Sequence, residues 1–190
     1  MTPPAFAASS GKRWYNSVLS RPPCGSVGRG LVAGAGFIVA QSIEHYLTYL
    51  EQQAAGVPAT PVGTRQFINR IAADCANVHA GDLRRPLRFL RQAAALPTLR
   101  FGTSGFRTDL VDDENPARHY TAFVWIGFWL PYPLAWLLVW LWEIAGFFRY
   151  RGDWSANDVA CGMIGIRHGR QVWRKGPAAL AALVKRDLRE

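Results

Sequence analysis

Residues 121–142 carry no charged side chain over 22 consecutive positions, and five of them are tryptophan: Trp125, Trp129, Trp136, Trp140 and Trp142. A helix that is apolar all round has to be covered on most of its surface, by the rest of the chain or by something outside it. The length passes the usual screen for a membrane-spanning helix, about 20 apolar residues. Pro131 and Pro133 stand in the middle of the block. A proline inside a helix removes a hydrogen bond and clashes with the preceding turn, at about 3 kcal/mol. The block is therefore expected to divide into two helical arms, 117–130 and 134–148.

Three arrangements fit such a block: a kinked transmembrane helix, a re-entrant helical hairpin, or two antiparallel helices in a water-soluble core. A tryptophan is rarely fully buried, its N–H needs a partner, and it favours the boundary between apolar and wet regions. Five of them in one block favour membrane contact, which makes 121–142 the candidate membrane-contacting segment.

The remaining composition narrows the class. At 190 residues the chain has the length of one domain. Apolar residues make up 49% of it, which excludes a long disordered chain, and charged residues only 18%. Lys and Arg outnumber Asp and Glu by 22 to 13, a net charge of +9. Asp109, Asp112, Asp113 and Glu114 precede the block, while Arg149, Arg151, Arg167, Arg170, Arg174 and Lys175 follow it. If the segment spans, the basic C-terminal tail is cytoplasmic. Basic groups near a membrane surface also attract anionic head groups. Nucleic acid is a poor fit, because the basic residues are scattered, the aromatics lie in the uncharged block, and no zinc-finger, RNP or Walker pattern is present. The expected partner is a lipid bilayer or a membrane protein. Cys24, Cys75 and Cys161 are odd in number and lack CxxC spacing, against a disulfide framework or zinc ribbon. No motif selects a cofactor or metal and none is assigned, although His119, Glu143 and Asp158 are residue types that also suit a metal.

Residues 1–28, rich in Pro, Ser and Gly, read as an extended N-terminal arm without the apolar run of a secretory signal. Residues 29–190 read as a single helical domain. Helices are expected over 30–54, from a cap at Thr64 to about 78, over 83–95, along the two arms, from Ser155 to about 169, and over 177–188. Gly30, Gly34 and Gly36 would let another helix approach the first of these closely. Residues 101–106 read as a turn-rich loop. The last helix carries Leu180, Leu183, Val184 and Leu188 on one face, to dock on the domain or lie on a membrane surface. The fold class is all-α: a bundle of about six or seven helices with a Trp-rich, Pro-broken hydrophobic hairpin.

One polar cluster emerges from this layout. Asn115 and Pro116 suit the N-cap and first position of a helix. Arg118 and His119 then fall in its first turn, where positive charge opposes the helix dipole. Glu143 is the only charge between His119 and Arg149. Folding back at Pro131–Pro133 returns it toward Arg118 and His119, and pairing of Arg118 with Glu143 is expected. Ser155 and Asp158 resemble a capping box opening a helix with small residues at Cys161, Gly162, Gly165 and Gly169. Such a helix can pack backbone-close against a bulky aromatic neighbour. Arg118, His119, Glu143 and Asp158 are thus the candidate catalytic residues of a general acid/base site, with a histidine between carboxylates. The competing reading is an ion pair beside a helix cap. His45 and His79 read as surface histidines.

The pattern Asp-x-Asn-Pro-x-Arg-His, then an apolar helix, Glu143, and Ser-x-x-Asp-x-x-x-Gly-x-x-x-x-x-x-Gly spans 112–170. It resembles a group of bacterial helical domains with an Asn-x-x-Arg-His helix followed by a small-residue helix opened by an acid, some of them in exported or toxin-type proteins. The resemblance draws attention to Asn115, Arg118, His119, Glu143 and Asp158 and implies no activity. Two functions are open at this point. One is a small membrane-associated helical protein, a non-catalytic component or accessory of a larger assembly. The other is a helical hydrolase or toxin-like domain using His119 with Glu143 and Asp158.

Overall fold

A computed structural model describes residues 39–85, 88, 95–111, 114–149 and 155–190. The expected N-terminal arm, the start of the first expected helix, most of 83–95, and Cys24, Asp112, Asp113 and Arg151 lie outside them. The described residues contain six α-helices, two short strands and two 3-10 turns. In chain order they are β1 (Val39–Ser42), α1 (Ile43–Ala55), α2 (Pro61–Ala76), β2 (Arg100–Ser104), α3 (Pro116–Trp129), α4 (Tyr132–Arg149), α5 (Ala156–Lys175) and α6 (Ala179–Asp187). The architecture is all-α.

Local sequence sets most helix ends. Pro61 opens α2 at the first turn, and the Thr60 side chain accepts a hydrogen bond from the Gly63 N–H at 3.1 Å. Asn77, with φ of 55°, closes that helix in the left-handed region. Thr64, the expected cap, is instead buried inside α2 and donates to the Thr60 carbonyl. The cap lies four residues earlier because Pro61 suits a first helical turn and Thr64 is needed in the packed face. Asn115 and Pro116 start α3 as expected. The Asn115 amide oxygen, however, accepts from the Phe101 N–H at 3.3 Å, tying β2 to the start of α3. At α5, Ser155 caps the Asp158 N–H at 3.0 Å.

Two segments differ from expectation. Residues 39–42, read as helix, form β1, and 100–104, read mainly as loop, form β2. They pair in parallel, with Val39 opposite Arg100 and Ala40 opposite Phe101. So short a pairing depends on a partner about sixty residues away along the chain, which local periodicity does not register.

The proline break is real. α3 ends at Trp129, α4 starts at Tyr132, and the chain reverses between them. Val139 of α4 packs back among Phe123, Ile126 and Leu130 of α3. The first arm is the central helix of the domain. It buries Tyr120, Phe123, Val124, Trp125 and Phe128 against α2, α5 and β2. Its closest neighbour is α5, and the two run in the same direction. His119 lies beside Asp158 and Gly162, Val124 beside Gly165, and Phe128 beside Gly169. Small residues make this approach possible, as the pattern of α5 suggested. A Cβ at Gly169 would lie 2.2 Å from the Val124 carbonyl oxygen, and one at Gly127 would lie 2.3 Å from that of Ile166. α6 buries Leu180, Leu183 and Val184, followed by Leu188, and docks on α1 and α5.

Candidate functional site

α4 is held to the domain by a narrow seam. Among the positions of α4 whose burial is described, Ala135, Val139 and Glu143, four residues apart, are the buried ones. Ala135 and Val139 meet Phe123 of α3 and Ile166 of α5, with Val159 and Met163 alongside. On the rest of its circumference α4 presents Leu134, Trp136, Leu137, Leu138, Leu141, Trp142 and Ile144, each 37–52% exposed. Trp129 and Tyr132 extend this surface across the turn. Together these side chains expose on the order of several hundred Å² of contiguous apolar surface, the size that marks a contact site rather than scattered surface leucines. A shallow apolar depression lies among Tyr132, Pro133, Trp136 and Leu137.

The patch therefore comes mostly from the second arm. The first arm was expected to share it, but the glycine-lined approach of α5 has enclosed it. Of the five tryptophans, Trp125 is buried, Trp140 half-buried, and Trp129, Trp136 and Trp142 exposed. The N–H groups of Trp125 and Trp129 both donate to the Asn69 amide oxygen, at 2.9 and 3.2 Å. Among the described residues no helix is long and apolar enough to cross a membrane. Of the three arrangements expected for 121–142, a single kinked transmembrane helix is the one that these helices do not provide.

The predicted polar residues gather at the other end of the bundle. His119, half-buried on α3, donates from Nε2 to the Asp158 main-chain carbonyl at 2.8 Å, and its ring lies 4.8 Å from that of Phe123. A carbonyl only accepts, so this bond fixes the proton on Nε2. Asp158, in the first turn of α5, thus meets His119 through its backbone. Arg118 is half-buried one position before His119. Glu143 is only 6% exposed, and the return of α4 carries it two turns past Ala135, toward the starts of α3 and α5. The topology thus turns Glu143 toward the end that holds Arg118, His119 and Asp158. An Arg118→Ala/Glu143→Ala double-mutant cycle is expected to show coupling of about 1–3 kcal/mol. Additive losses would mean the two side chains do not pair. His45 and His79 are exposed, as expected. Among the described residues no group of three or more His, Cys, Asp or Glu is placed to hold a metal. Cys75 and Cys161 are buried, and burial raises the Cys75 thiol well above its usual range, against a nucleophilic role.

A second polar group was not anticipated. His168 of α5 is 1% exposed and bridges two other helices. Its Nδ1 lies 2.7 Å from the Tyr120 hydroxyl of α3, and its Nε2 lies 2.8 Å from an Asp187 carboxylate oxygen of α6. Burial lowers the His168 pKa and outweighs the opposing effect of Asp187. The neutral ring must give its one proton to the carboxylate, so Nδ1 accepts from Tyr120. Arg186, donating to Asp187 at 2.6 and 2.7 Å, is the main reason that carboxyl falls well below its ordinary range, with His168 adding to the effect. The Tyr120 hydroxyl is fully buried and held protonated by that burial. The chain of bonds resembles a catalytic relay in its order, but its outer end is an enclosed phenol, and it serves to lock α3, α5 and α6 together.

Comparison of the chain with family models, with curated proteins and with solved structures finds no match.

Proposed function

We propose that this chain is a membrane-associated helical protein, a non-catalytic component or accessory of a larger membrane-bound assembly. The supporting observation is the outer face of α4. Seven large apolar side chains stand at least a third exposed on a helix whose buried positions among the described residues, Ala135, Val139 and Glu143, lie along one line. An uncharged surface of this kind calls for cover from outside the described residues. Its tryptophans suit the boundary between head groups and acyl chains, where an interfacial helix lies. The acid/base reading of His119 has less behind it, because its Nε2 already holds a main-chain carbonyl.

Flotation of the full chain with neutral phosphatidylcholine vesicles tests the reading. The protein should float, and its tryptophan emission should shift to the blue and be quenched by brominated acyl chains. Leu137→Gln with Leu141→Gln, both at exposed positions, should weaken binding about tenfold or more while leaving the thermal transition in place, since each 1.4 kcal/mol of lost burial is a factor of ten. Protein that stays at the bottom of the gradient with unchanged emission would overturn the proposal. So would a stable dimer whose tryptophans are already shielded.

A further inference from the structure

The seam between α4 and α5 also fixes what surrounds the start of α4. Ile166, with Val159 and Met163, is turned toward α4. Arg170, Trp173 and Arg174 follow it at four, seven and eight positions, so they continue the same face of α5. Gly169 lies against Val124 and Phe128, which places this last part of α5 beside the end of α3 and the turn into α4. Trp173 is 66% exposed and Arg174 is exposed. From α2, the Arg65 guanidinium lies 5.9 Å from the centre of the exposed Trp129 ring, one residue before the turn. No Asp or Glu occurs between Val159 and Lys175. Basic and aromatic side chains therefore border the apolar face at one end, with no carboxylate among the α5 residues there; the other end holds Glu143 and Asp158 together with Arg118 and Arg149.

We propose that Arg65, Arg170 and Arg174 form a rim that binds the phosphates of acidic phospholipids, so that the chain selects an anionic bilayer and docks with the start of α4 against it. This rests on the reading that the α4 face meets a bilayer. The rim supplies cations at head-group level beside a surface that enters the acyl boundary, a combination that discriminates lipid charge. Tryptophan and tyrosine at the same level add the amphipathic rings that a head-group layer accommodates.

The test compares vesicles of phosphatidylcholine alone with vesicles containing about a third phosphatidylglycerol. Three basic groups, each contributing roughly fivefold near an anionic surface, should raise affinity on the order of a hundredfold at low salt. The gain should shrink as salt screens the charges. Arg170→Gln with Arg174→Gln should remove most of the gain and leave binding to neutral vesicles intact. Arg65→Gln alone should remove part of it. Lys185→Gln, on α6, should change nothing. Equal binding of the wild-type chain to both vesicles overturns the rim while leaving the membrane reading standing, and no binding to either overturns both. If lipid charge has no effect but a labelled duplex oligonucleotide binds and is released by the same arginine substitutions, the rim serves nucleic acid and the proposal fails.

Discussion

Gly169→Ala is expected to destabilise the domain by about 3 kcal/mol or more, the upper end of what overpacking costs. The added methyl carbon would lie 2.2 Å from the Val124 carbonyl oxygen and 2.7 Å from the Phe128 nitrogen. Both are main-chain atoms inside a helix, so no side-chain rotation relieves the overlap. α5 would have to withdraw from α3 along its whole length and loosen Tyr120, Phe123 and Ile166 with it. The better helix propensity of alanine returns only about 1 kcal/mol. Gly127→Ala meets the Ile166 carbonyl from the other side of the same crossing, at 2.3 Å, and should behave alike. The double variant should lose less than the sum, because one separation of the helices accommodates both methyls. Gly81→Ala is the control: a Cβ there meets nothing within 4 Å, and the change should stay within about 0.5 kcal/mol. Urea denaturation followed by circular dichroism measures all four. A Gly169→Ala protein as stable as wild type would refute the close parallel packing of α3 on α5.

His168→Ala should cost about 3–4 kcal/mol, through a cavity among three helices and a buried Tyr120 hydroxyl deprived of its acceptor. Tyr120→Phe removes only the hydroxyl and should cost about 1–2 kcal/mol. The same group predicts an acid limb. His168 is pushed below its ordinary 6.5 mainly by burial, against Asp187 and with help from Arg186 and Arg167. The folded protein therefore binds fewer protons than the unfolded chain below that pH. Stability from this site is complete above about pH 6.5 and is lost as the pH falls through the lower folded value. Asp187, also lowered, adds a second loss below its ordinary 3.8. Melting temperatures of wild type and His168→Phe between pH 7 and 4.5 check the sign. Parallel curves for the two proteins would show that His168 does not titrate between folded and unfolded states.

What the sequence made legible is what local physics dictates. Pro131 and Pro133 announced the break because a missing N–H cannot be repaired inside a helix. Asn115–Pro116 and Ser155 announced the starts of α3 and α5 through cap chemistry. The glycines of α5 announced a close neighbour. The strands β1 and β2 were not legible, because neither has a pattern of its own and each exists through the other. His168 was within reach of the periodicity and was missed. Cys161, Gly165, His168 and Val172 fall at steps of four, three and four, so the histidine lies on the buried face of α5. Which arm of the apolar block would be exposed depended on which one α5 enclosed, a choice made by tertiary packing.

α3 also bears on how the chain reaches this state. Tyr46 of α1 donates to Thr121 across 75 residues, Trp125 donates to Asn69 of α2 across 56, and Tyr120 bonds His168 of α5 across 48. The central helix thus takes its partners from both sides of the sequence. An up-and-down bundle closes short loops between successive helices and folds quickly on that account. Here the loops to be closed are several times longer, and their closure entropy comes due before the apolar face of α3 is covered. Closures of this length should make the domain fold more slowly than an up-and-down helical bundle of the same size, although nearly all of its regular structure is helix.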